Sequence, residues 1–381
     1  MILVELIAGI LKENSFILIL AGVLGSFLVT TQSLPFIIYF SKVKKLTAKV
    51  DERSSHSSDI PNIGGIGIIA GIYIVTLSLS FFILNYDESK FIIALFISLL
   101  ILLFIGFKDD MLGLSAMAKL LTEIGTATAF IILTDCRLDN FYGLFGIYEI
   151  NYFVSIILSI FIFVVTINSY NLIDGIDGLA GGYGIIAMIA FLYLSLSANN
   201  LIGIILCVTI IGSLAGFLKF NLSNGKRKIF MGDTGSLVLG FLISVVALSI
   251  LSSSNDSSQV SKNIPVIILS ILSYPYIDTI RVMFIRRRNG KRFFVPDKNH
   301  IHHKLIKNGK SHISSSLVIL SVYLSSIIFC IAFEKLHITF HFFLSLIYSI
   351  SSLTALVLIC DKNWVNIKVS KTISTLTNQL D

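Results

Sequence analysis

The sequence predicts an all-α, polytopic integral membrane protein, and two observations support this fold class. Of its 381 residues, 55% are hydrophobic and only 13% are charged, and the mean hydropathy of +0.88 is far outside the range of soluble domains. The apolar residues are also concentrated in long runs, and hydrocarbon requires roughly 17 to 25 of them per helical span. Eleven runs of about this length alternate with polar loops.

The predicted transmembrane helices follow one another along almost the whole chain. They lie near residues 16–40, 63–84, 91–107, 119–134, 151–168, 179–197, 201–218, 235–253, 263–281, 315–333 and 339–360. The fourth run is short and contains Glu123, and a carboxylate in hydrocarbon is costly. A count of ten helices therefore stays open.

The distribution of lysine and arginine predicts the orientation in the membrane. Alternate loops and the C-terminal tail hold 24 of the 29 basic residues, in segments 41–62, 108–119, 219–229, 281–314 and 361–381. By the positive-inside rule these segments are cytoplasmic, so the N-terminus lies outside and the C-terminus inside. The net charge of +7 therefore follows from topology, and no nucleic-acid partner is predicted.

Five polar clusters lie on the predicted cytoplasmic side. They are DERSSHSSDIPNIGG (51–65), DDMLGLSAMAK (109–119), NSYNLIDGIDGLAGG (168–182), FMGDTGS (230–236) and RRRNGKRFFVPDKNHIHH (286–303). The outer loops hold only scattered charges, so the asymmetry indicates a water-soluble cytoplasmic ligand. An enzyme at the inner membrane surface fits this better than a membrane transporter, which needs polar residues at mid-membrane.

The residue types in these clusters indicate a phosphate or diphosphate site. Hard oxygen ligands that suit Mg²⁺ or Mn²⁺ come from Asp109, Asp110, Asp174, Asp177 and Asp233. Cationic or protonatable donors come from Lys119, Arg286, His300, His302 and His303. The sequence GDTGS is also expected to begin a helix whose N-terminal amides can receive an anion. Asp278 is expected instead to pair with Arg281 at the end of its span.

Four of the motifs together resemble a known family. KDDMLGLSAMAK, NSYNLIDGIDGLAGG, FMGDTGS and PDKNHIHH are similar, in this order, to motifs of the polyprenyl-phosphate N-acetylhexosamine-1-phosphate transferase superfamily, glycosyltransferase family 4. The resemblance covers about residues 42 to 310. The PDKNHIHH form resembles the bacterial branch that starts O-antigen, enterobacterial common antigen and teichoic acid lipid carriers.

The resemblance implies a reaction and its partners. The expected enzyme transfers an N-acetylhexosamine 1-phosphate, most often that of N-acetylglucosamine, from a UDP-sugar to polyprenyl (undecaprenyl) phosphate and releases UMP. N-acetylfucosamine, N-acetylquinovosamine and the UDP-MurNAc-pentapeptide of the muropeptide branch stay open as alternative substrates. A route through an aspartyl-phosphate and a homodimer are open as well. The implied location is the inner (plasma) membrane, with the active site facing the cytoplasm.

The expected domain organisation follows from the predicted helices and loops. Residues 1–360 form a single transmembrane catalytic domain, and 361–381 form a cytoplasmic tail. The cytoplasmic loops of that domain are 41–62, 108–119, 169–178, 219–232 and 282–314.

The resemblance also implies roles for the residues of the catalytic centre. Asp109 is expected to accept the proton of the lipid phosphate, and Asp110 to support it or the metal. Lys119 is expected to offset the charge of the diphosphate. Asn171 and Asp233 are expected to hold the Mg²⁺ or Mn²⁺ ion.

Other residues are implied in substrate binding. Asp174 and Asp177 are expected to organise the nucleotide side of the pocket, and Phe230 to stack on uracil. The sugar and phosphate rim is expected to contain Arg286, Asp297, His300, His302 and His303. Arg53 and His56 match the first loop of the family pattern, but Ala48 and Val50 stand where that pattern has an acid and a proline, which weakens a role for this loop.

Overall fold

The computed structural model describes residues 14–44, 60–254, 263–290 and 299–377. Twelve α-helices lie in these segments: α1 Ser15–Val43, α2 Gly65–Ile83, α3 Tyr86–Leu112, α4 Ala116–Thr134, α5 Tyr152–Ile173, α6 Leu179–Ser197, α7 Leu201–Asn221, α8 Gly232–Ser254, α9 Ile264–Arg288, α10 Ile301–Lys307, α11 His312–Ala332 and α12 Ile338–Thr377. A short 3₁₀ turn, Gly225–Arg227, separates α7 from α8.

Eleven of the described helices, all except the seven-residue α10, are long and apolar enough to cross a membrane. The prediction of eleven spans is therefore confirmed. The fourth helix, α4, runs for 19 residues and buries Glu123, which is 1% exposed. The Glu123 carboxylate accepts a hydrogen bond of 2.5 Å from the Asn168 carboxamide on α5, so α5 supplies part of what water would otherwise provide.

The centre of the fold is α8. Its most apolar 18-residue window is completely buried inside the protein, and α8 packs against α2, α3, α5 and α6. A helix that is apolar all round is suited to such a position. Because α8 begins with the GDTGS motif, this packing holds the motif at one end of the helical core.

Glycines on the neighbouring helices let the N-terminal end of α8 lie close to them. A methyl group on Gly65 of α2 would be 2.2 Å from the backbone nitrogen of Gly235, and one on Gly106 of α3 would be 2.7 Å from the carbonyl oxygen of Asp233. Both contacts are with backbone, which cannot move aside as a flexible side chain can. These two glycines therefore fix how deeply the motif is inserted.

The helices at the periphery are mainly exposed. Only 28% of the apolar window of α1 and 22% of that of α12 are buried inside the protein, which is the pattern of helices that face hydrocarbon. A small antiparallel hairpin, β1 Asn140–Leu144 and β2 Ile147–Glu149, connects α4 to α5. The all-α prediction missed it, because two strands of five and three residues leave little periodicity in a sequence.

Several helices continue beyond the apolar runs that predicted them. α3 extends to Leu112 instead of ending near residue 107, so Asp109 and Asp110 belong to its last turns. The predicted loop 108–119 is thereby reduced to the three residues between α3 and α4. α5 likewise continues to Ile173, which places Asn171 on a helix instead of in a loop.

Candidate active site

The polar motifs meet where several helix ends converge. Asp109 lies in the last turns of α3, Lys119 in the first turn of α4, Asn171 in the last turn of α5, and Asp233 in the first turn of α8. Asp174 follows directly as the C-terminal cap of α5. We call Asp109, Asp110, Asp174 and Asp233 the acidic cluster. Three segments that are distant in sequence, 109–119, 171–174 and 233–234, thus contribute polar side chains to one cluster.

Lys119 joins two members of the acidic cluster. Its ammonium lies 2.7 Å from Asp109 Oδ2 and 2.9 Å from Asp233 Oδ2. The second oxygen of Asp109 accepts a hydrogen bond of 2.5 Å from the backbone nitrogen of Leu114. The Asp109 side chain is 11% exposed and that of Asp233 is 28% exposed, so both carboxylates are partly accessible to solvent.

Asp110 has a different environment, although it is adjacent to Asp109. Its carboxylate accepts hydrogen bonds from the backbone nitrogens of Asp233 and Thr234, both 2.9 Å, and from the Thr234 hydroxyl at 2.5 Å. The Asn62 carboxamide adds a fourth at 3.2 Å. Asp110 therefore caps the N-terminus of α8 from a different helix. The amides that we expected to receive a substrate anion are already occupied by this carboxylate.

Asn171 and Asp174 complete the cluster on the α5 side. The Asn171 carboxamide nitrogen donates to Asp233 Oδ1 and to the Ser236 hydroxyl, both at 2.8 Å. Within the described part of the chain, the Asn171 carboxamide oxygen and the Asp174 carboxylate accept no hydrogen bond. Burial, followed by the charges of Asp233, Asp110 and Asp177, raises the pKa of Asp174 well above its usual value.

The acidic cluster fits a hard divalent cation by its chemistry. The Lys119 ammonium pairs with only two of the four carboxylates, those of Asp109 and Asp233, and in the described segments the side-chain oxygens of Asn171 and Asp174 accept no hydrogen bond. In the described segments no three Asp, Glu, His or Cys side chains are close enough to hold a metal ion as they stand. The reason is local, since Lys119 lies between Asp109 and Asp233. A cation bound by Asp233 would have to displace this ammonium from at least one carboxylate.

The loop between α5 and α6 carries Asp177, which contacts basic side chains on other elements. Lys228 Nζ lies 2.6 Å and His312 Nδ1 lies 3.4 Å from Asp177 Oδ2. Burial disfavours the carboxylate, but these two partners more than offset it and lower the pKa of Asp177. Lys228 also lies over the Phe230 ring, 5.5 Å from its centroid. The residues predicted for the nucleotide side are therefore neighbours.

A glycine in the same loop allows close contact with the histidine motif. A methyl group on Gly175 would lie 2.4 Å from Nε2 of His302, so only glycine leaves room for the ring. His302 is 1% exposed, and its Nδ1 has no hydrogen-bond partner. Burial, with the charges of His303 and His300 adding to it, lowers the pKa of His302 to about 3. The imidazole is therefore neutral at physiological pH.

Asp278 on α9 holds the start of the histidine motif. Its fully buried carboxylate lies 2.7 Å from the Arg281 guanidinium, as predicted, and 2.9 Å from Nδ1 of His300. Arg281 also donates to the backbone oxygen of Asn299 at 2.5 Å. The rings of His300 and His302 then stack with their centroids 5.7 Å apart. This network fixes the motif against the end of the helical core.

Of the remaining predicted residues, the structure describes only some. Arg286 is 6% exposed at the end of α9, and His303 packs against His302 with ring centroids 4.3 Å apart. Asp297, Arg53 and His56 lie outside the described residues.

Sequence reasoning missed several partners of the motifs. Asn62 and Thr234 hold Asp110, Lys228 and His312 hold Asp177, and the role of Asp278 in orienting His300 was not foreseen. The sequence did contain one indication that Lys228 belongs to the site, because it lies two residues before Phe230 in the sequence KIFMGD. A lone histidine such as His312, more than a hundred residues from its partner, gives no such signal.

Comparison with known proteins agrees with the motif pattern. Residues 92–251 match glycosyl transferase family 4. The chain is 34% identical over 298 residues to a protein of Bacillus subtilis named a probable undecaprenyl-phosphate N-acetylglucosaminyl 1-phosphate transferase, covering 76% of this chain and 78% of the relative.

Two further relatives come from other bacteria. The undecaprenyl-phosphate alpha-N-acetylglucosaminyl 1-phosphate transferase of Escherichia coli K12 is 30% identical over 294 residues, covering 74% of this chain and 75% of the relative. The decaprenyl-phosphate N-acetylglucosaminephosphotransferase of Mycobacterium tuberculosis H37Rv is 27% identical over 294 residues, covering 72% and 71%. With its multi-pass helical fold and its converging motifs, the chain is a membrane enzyme that belongs to glycosyl transferase family 4.

Proposed function

We propose that this enzyme transfers N-acetylglucosamine 1-phosphate from UDP-N-acetylglucosamine to undecaprenyl phosphate and thereby starts a cell-surface polysaccharide. The observation that carries the proposal is the acidic cluster with Lys119, which lies where the C-terminal ends of α3 and α5 meet the N-terminal ends of α4 and α8. The names of the relatives support the choice of both substrates. A site at this depth suits a lipid phosphate, because the lipid cannot rise further into the cytosol.

The reaction is a phosphoryl transfer. An oxygen of the lipid phosphate attacks the β-phosphorus of the UDP-sugar and forms a new P–O bond. The bond between the β-phosphorus and the oxygen that bridges it to the α-phosphorus breaks, and UMP leaves with that oxygen. Any proton on the attacking lipid phosphate passes to a carboxylate. Little covalent work is left for the protein, so alignment and charge neutralisation are the main contributions expected from it.

Asp109 is the proposed proton acceptor. Its carboxylate is fixed by Leu114 and Lys119 and lies in the last turns of α3, an end that the positive-inside rule assigns to the cytoplasmic surface. Asp110 contributes by holding the N-terminus of α8, which positions Asp233. In this scheme Lys119 moves from the carboxylates to the diphosphate when the substrate binds.

The cation proposed for the site is Mg²⁺, or Mn²⁺ in its place. Asp233 and Asn171 would hold it, and Asp174 adds a carboxylate that is otherwise unpaired. When bound, it would neutralise negative charge on the diphosphate. Phe230 and Lys228, next to Asp177, are proposed to contact the uridine part. His300, His302, His303 and Arg286 would line the sugar and phosphate side.

The positive-inside rule supports a plasma-membrane location with the site facing the cytoplasm. This orientation agrees with the reaction, because UDP-sugars are cytoplasmic metabolites and undecaprenyl phosphate is confined to the bilayer. Soluble donor and lipid acceptor would then meet at the ends of the helices.

The substrate is tested by incubating purified protein with undecaprenyl phosphate and, separately, with the UDP derivatives of N-acetylglucosamine, N-acetylfucosamine, N-acetylquinovosamine and MurNAc-pentapeptide. We expect UMP and a lipid-linked product with UDP-N-acetylglucosamine, and no UMP when the lipid is left out. Turnover at least tenfold faster with another donor would assign a different sugar. An Asp233→Ala protein serves as the inactive control.

A further inference from the structure

A cavity of about 610 Å³ lies between the ends of α1 and α7 and the 3₁₀ turn that follows α7. Four cationic side chains line it: Lys42, Lys219, Lys226 and Arg227. None of them forms an ion pair with a carboxylate in the described part of the chain. We call this cavity the basic pocket. Within the described residues this positive charge has no carboxylate partner, which favours an anionic ligand.

One of the four cations is held in place by the opposite wall of the pocket. The Lys42 ammonium at the end of α1 donates a hydrogen bond of 2.5 Å to the backbone oxygen of Lys226 in the 3₁₀ turn. The contact ties α1 to the segment after α7 across the opening. The cationic rim is therefore assembled from two parts of the chain that are 184 residues apart.

The other half of the basic pocket is mainly apolar and lies along α1, a predicted membrane-spanning helix. Pro35 and Tyr39 of α1 line it, and Thr31 marks its deepest point on this helix. Tyr39 is 69% exposed and neighbouring Phe36 is 71% exposed, on a helix of which little is buried inside the protein. From Thr31 to Lys42 the pocket extends roughly 16 Å along the helix axis. Apolar surface thus lies at depth and cations lie at the helix ends.

We propose that the basic pocket binds an anionic phospholipid of the surrounding leaflet, with its phosphate at the four cations and an acyl chain along Pro35 and Tyr39. Cations line the pocket at the helix ends and apolar side chains line it further along α1. This arrangement favours a lipid over a soluble phosphate, because a soluble anion gains nothing from about 16 Å of apolar wall. Basic pockets between membrane helices recognise such headgroups by the same combination of charge and depth. The volume is also within the range of small-molecule sites, about 300 to 1,000 Å³.

This site is separate from the candidate active site. None of the acidic cluster lines the basic pocket, and the proposal does not depend on the reaction. The two are nevertheless adjacent in sequence, since Arg227 precedes Lys228, which pairs with Asp177 at 2.6 Å. A binding measurement, and not an activity measurement, is therefore the appropriate test.

The test counts bound lipids by native mass spectrometry of the full chain in detergent, titrated with phosphatidylglycerol, cardiolipin or phosphatidylcholine. Wild-type protein is compared with Lys219→Gln/Lys226→Gln and with the control Lys310→Gln/Lys335→Gln, which removes two exposed charges elsewhere. We expect the pocket variant to bind the anionic lipids about 25-fold more weakly, because each of the two removed cations contributes roughly a factor of five near a membrane surface. The control should bind like wild type.

The conservative variant Lys219→Arg/Lys226→Arg guards against a folding defect, since it keeps both charges and should keep the lipid. Equal binding of anionic lipid by wild type and the Gln variant would overturn the proposal. The proposal would also be overturned if the wild-type protein bound phosphatidylcholine as tightly as it binds the anionic lipids. Displacement of the lipid by millimolar inorganic phosphate would assign the pocket to a soluble anion, and displacement by equimolar undecaprenyl phosphate would assign it to the substrate. Either result would also overturn the phospholipid proposal.

Discussion

At the scale of single residues, Asp109 and Asp233 share one ammonium but are proposed to act differently. Asp109→Asn keeps the shape of the side chain and cannot accept a proton, so turnover should fall about 100-fold or more while UDP-sugar binding survives. Asp233→Asn removes a charged ligand, so its defect should appear first as weaker Mg²⁺ affinity, and high magnesium should partly restore the rate. The measurement is a magnesium titration of the rate, with nucleotide binding followed separately for each variant.

The outcome of that titration also tests whether the transfer is direct or passes through a phosphorylated aspartate. If magnesium rescues Asp109→Asn and leaves Asp233→Asn inactive, the two roles are reversed. A phosphorylated intermediate on Asp233 would then become the better mechanism. Wild-type protein in excess EDTA is the control, and it should show no turnover.

Gly175 provides a residue-scale test of the contact between two motifs. A Gly175→Ala side chain would meet His302 at 2.4 Å, and overpacking of this kind costs typically about 1 to 3 kcal/mol. We expect a lower thermal midpoint and reduced turnover. The matched control is Gly125→Ala on α4, where a methyl group meets nothing within 4 Å and alanine favours the helix. Equal behaviour of the two variants would contradict a tight contact between the loop and the histidine motif.

The motifs indicated which residues lie close together, but not which partner each of two neighbouring residues contacts. Asp109 and Asp110 have the same side chain, yet one binds Lys119 and the other caps α8. That difference depends on a helix that begins 122 residues later in the chain, and local sequence holds no trace of it. The pairing of Asp278 with Arg281 was predictable because the two are one helical turn apart, whereas its bond to His300 was not.

At the scale of helices, Asp110 is the connection between α3 and α8. Asp110→Ala leaves the backbone nitrogens of Asp233 and Thr234 without their acceptor, and losing a helix cap costs about 1 to 2 kcal/mol. Asp110→Asn keeps one acceptor oxygen and should lose less. Thermal unfolding in detergent measures both. If Asn were as damaging as Ala to stability while turnover alone separated them, a capping role would be wrong.

The helices themselves could be predicted well from apolar runs, because a span needs a minimum length of hydrocarbon-compatible residues. Their ends could not. α3 carries Lys108, Asp109 and Asp110 within its last turns, since the helix continues where polar side chains reach partners on other helices. Apolar periodicity is silent about such turns, and it also missed the short hairpin 140–149.

At the scale of the whole molecule, the placement of the site depends on orientation. The basic-residue distribution predicts that Lys310 lies in the cytoplasm and Lys335 outside. A Lys310→Cys protein should resist an impermeant thiol reagent in intact cells and react after the membrane is opened, whereas Lys335→Cys should react in intact cells. Both positions are exposed, and all four native cysteines are buried, so background labelling should be low. The reverse labelling pattern would mean that the orientation is inverted and that the site does not face the cytoplasmic UDP-sugar.

The central claim is that the sugar and the β-phosphate move together to the lipid. The most direct measurement uses UDP-N-acetylglucosamine labelled with ³²P at the β-phosphate and with ³H in the sugar, mixed with undecaprenyl phosphate and wild-type protein. We predict that both labels enter the lipid fraction in a one-to-one ratio and that the released nucleotide is unlabelled UMP. Tritium in the lipid without ³²P, accompanied by labelled UDP, would show transfer of the sugar alone and would contradict the proposed reaction.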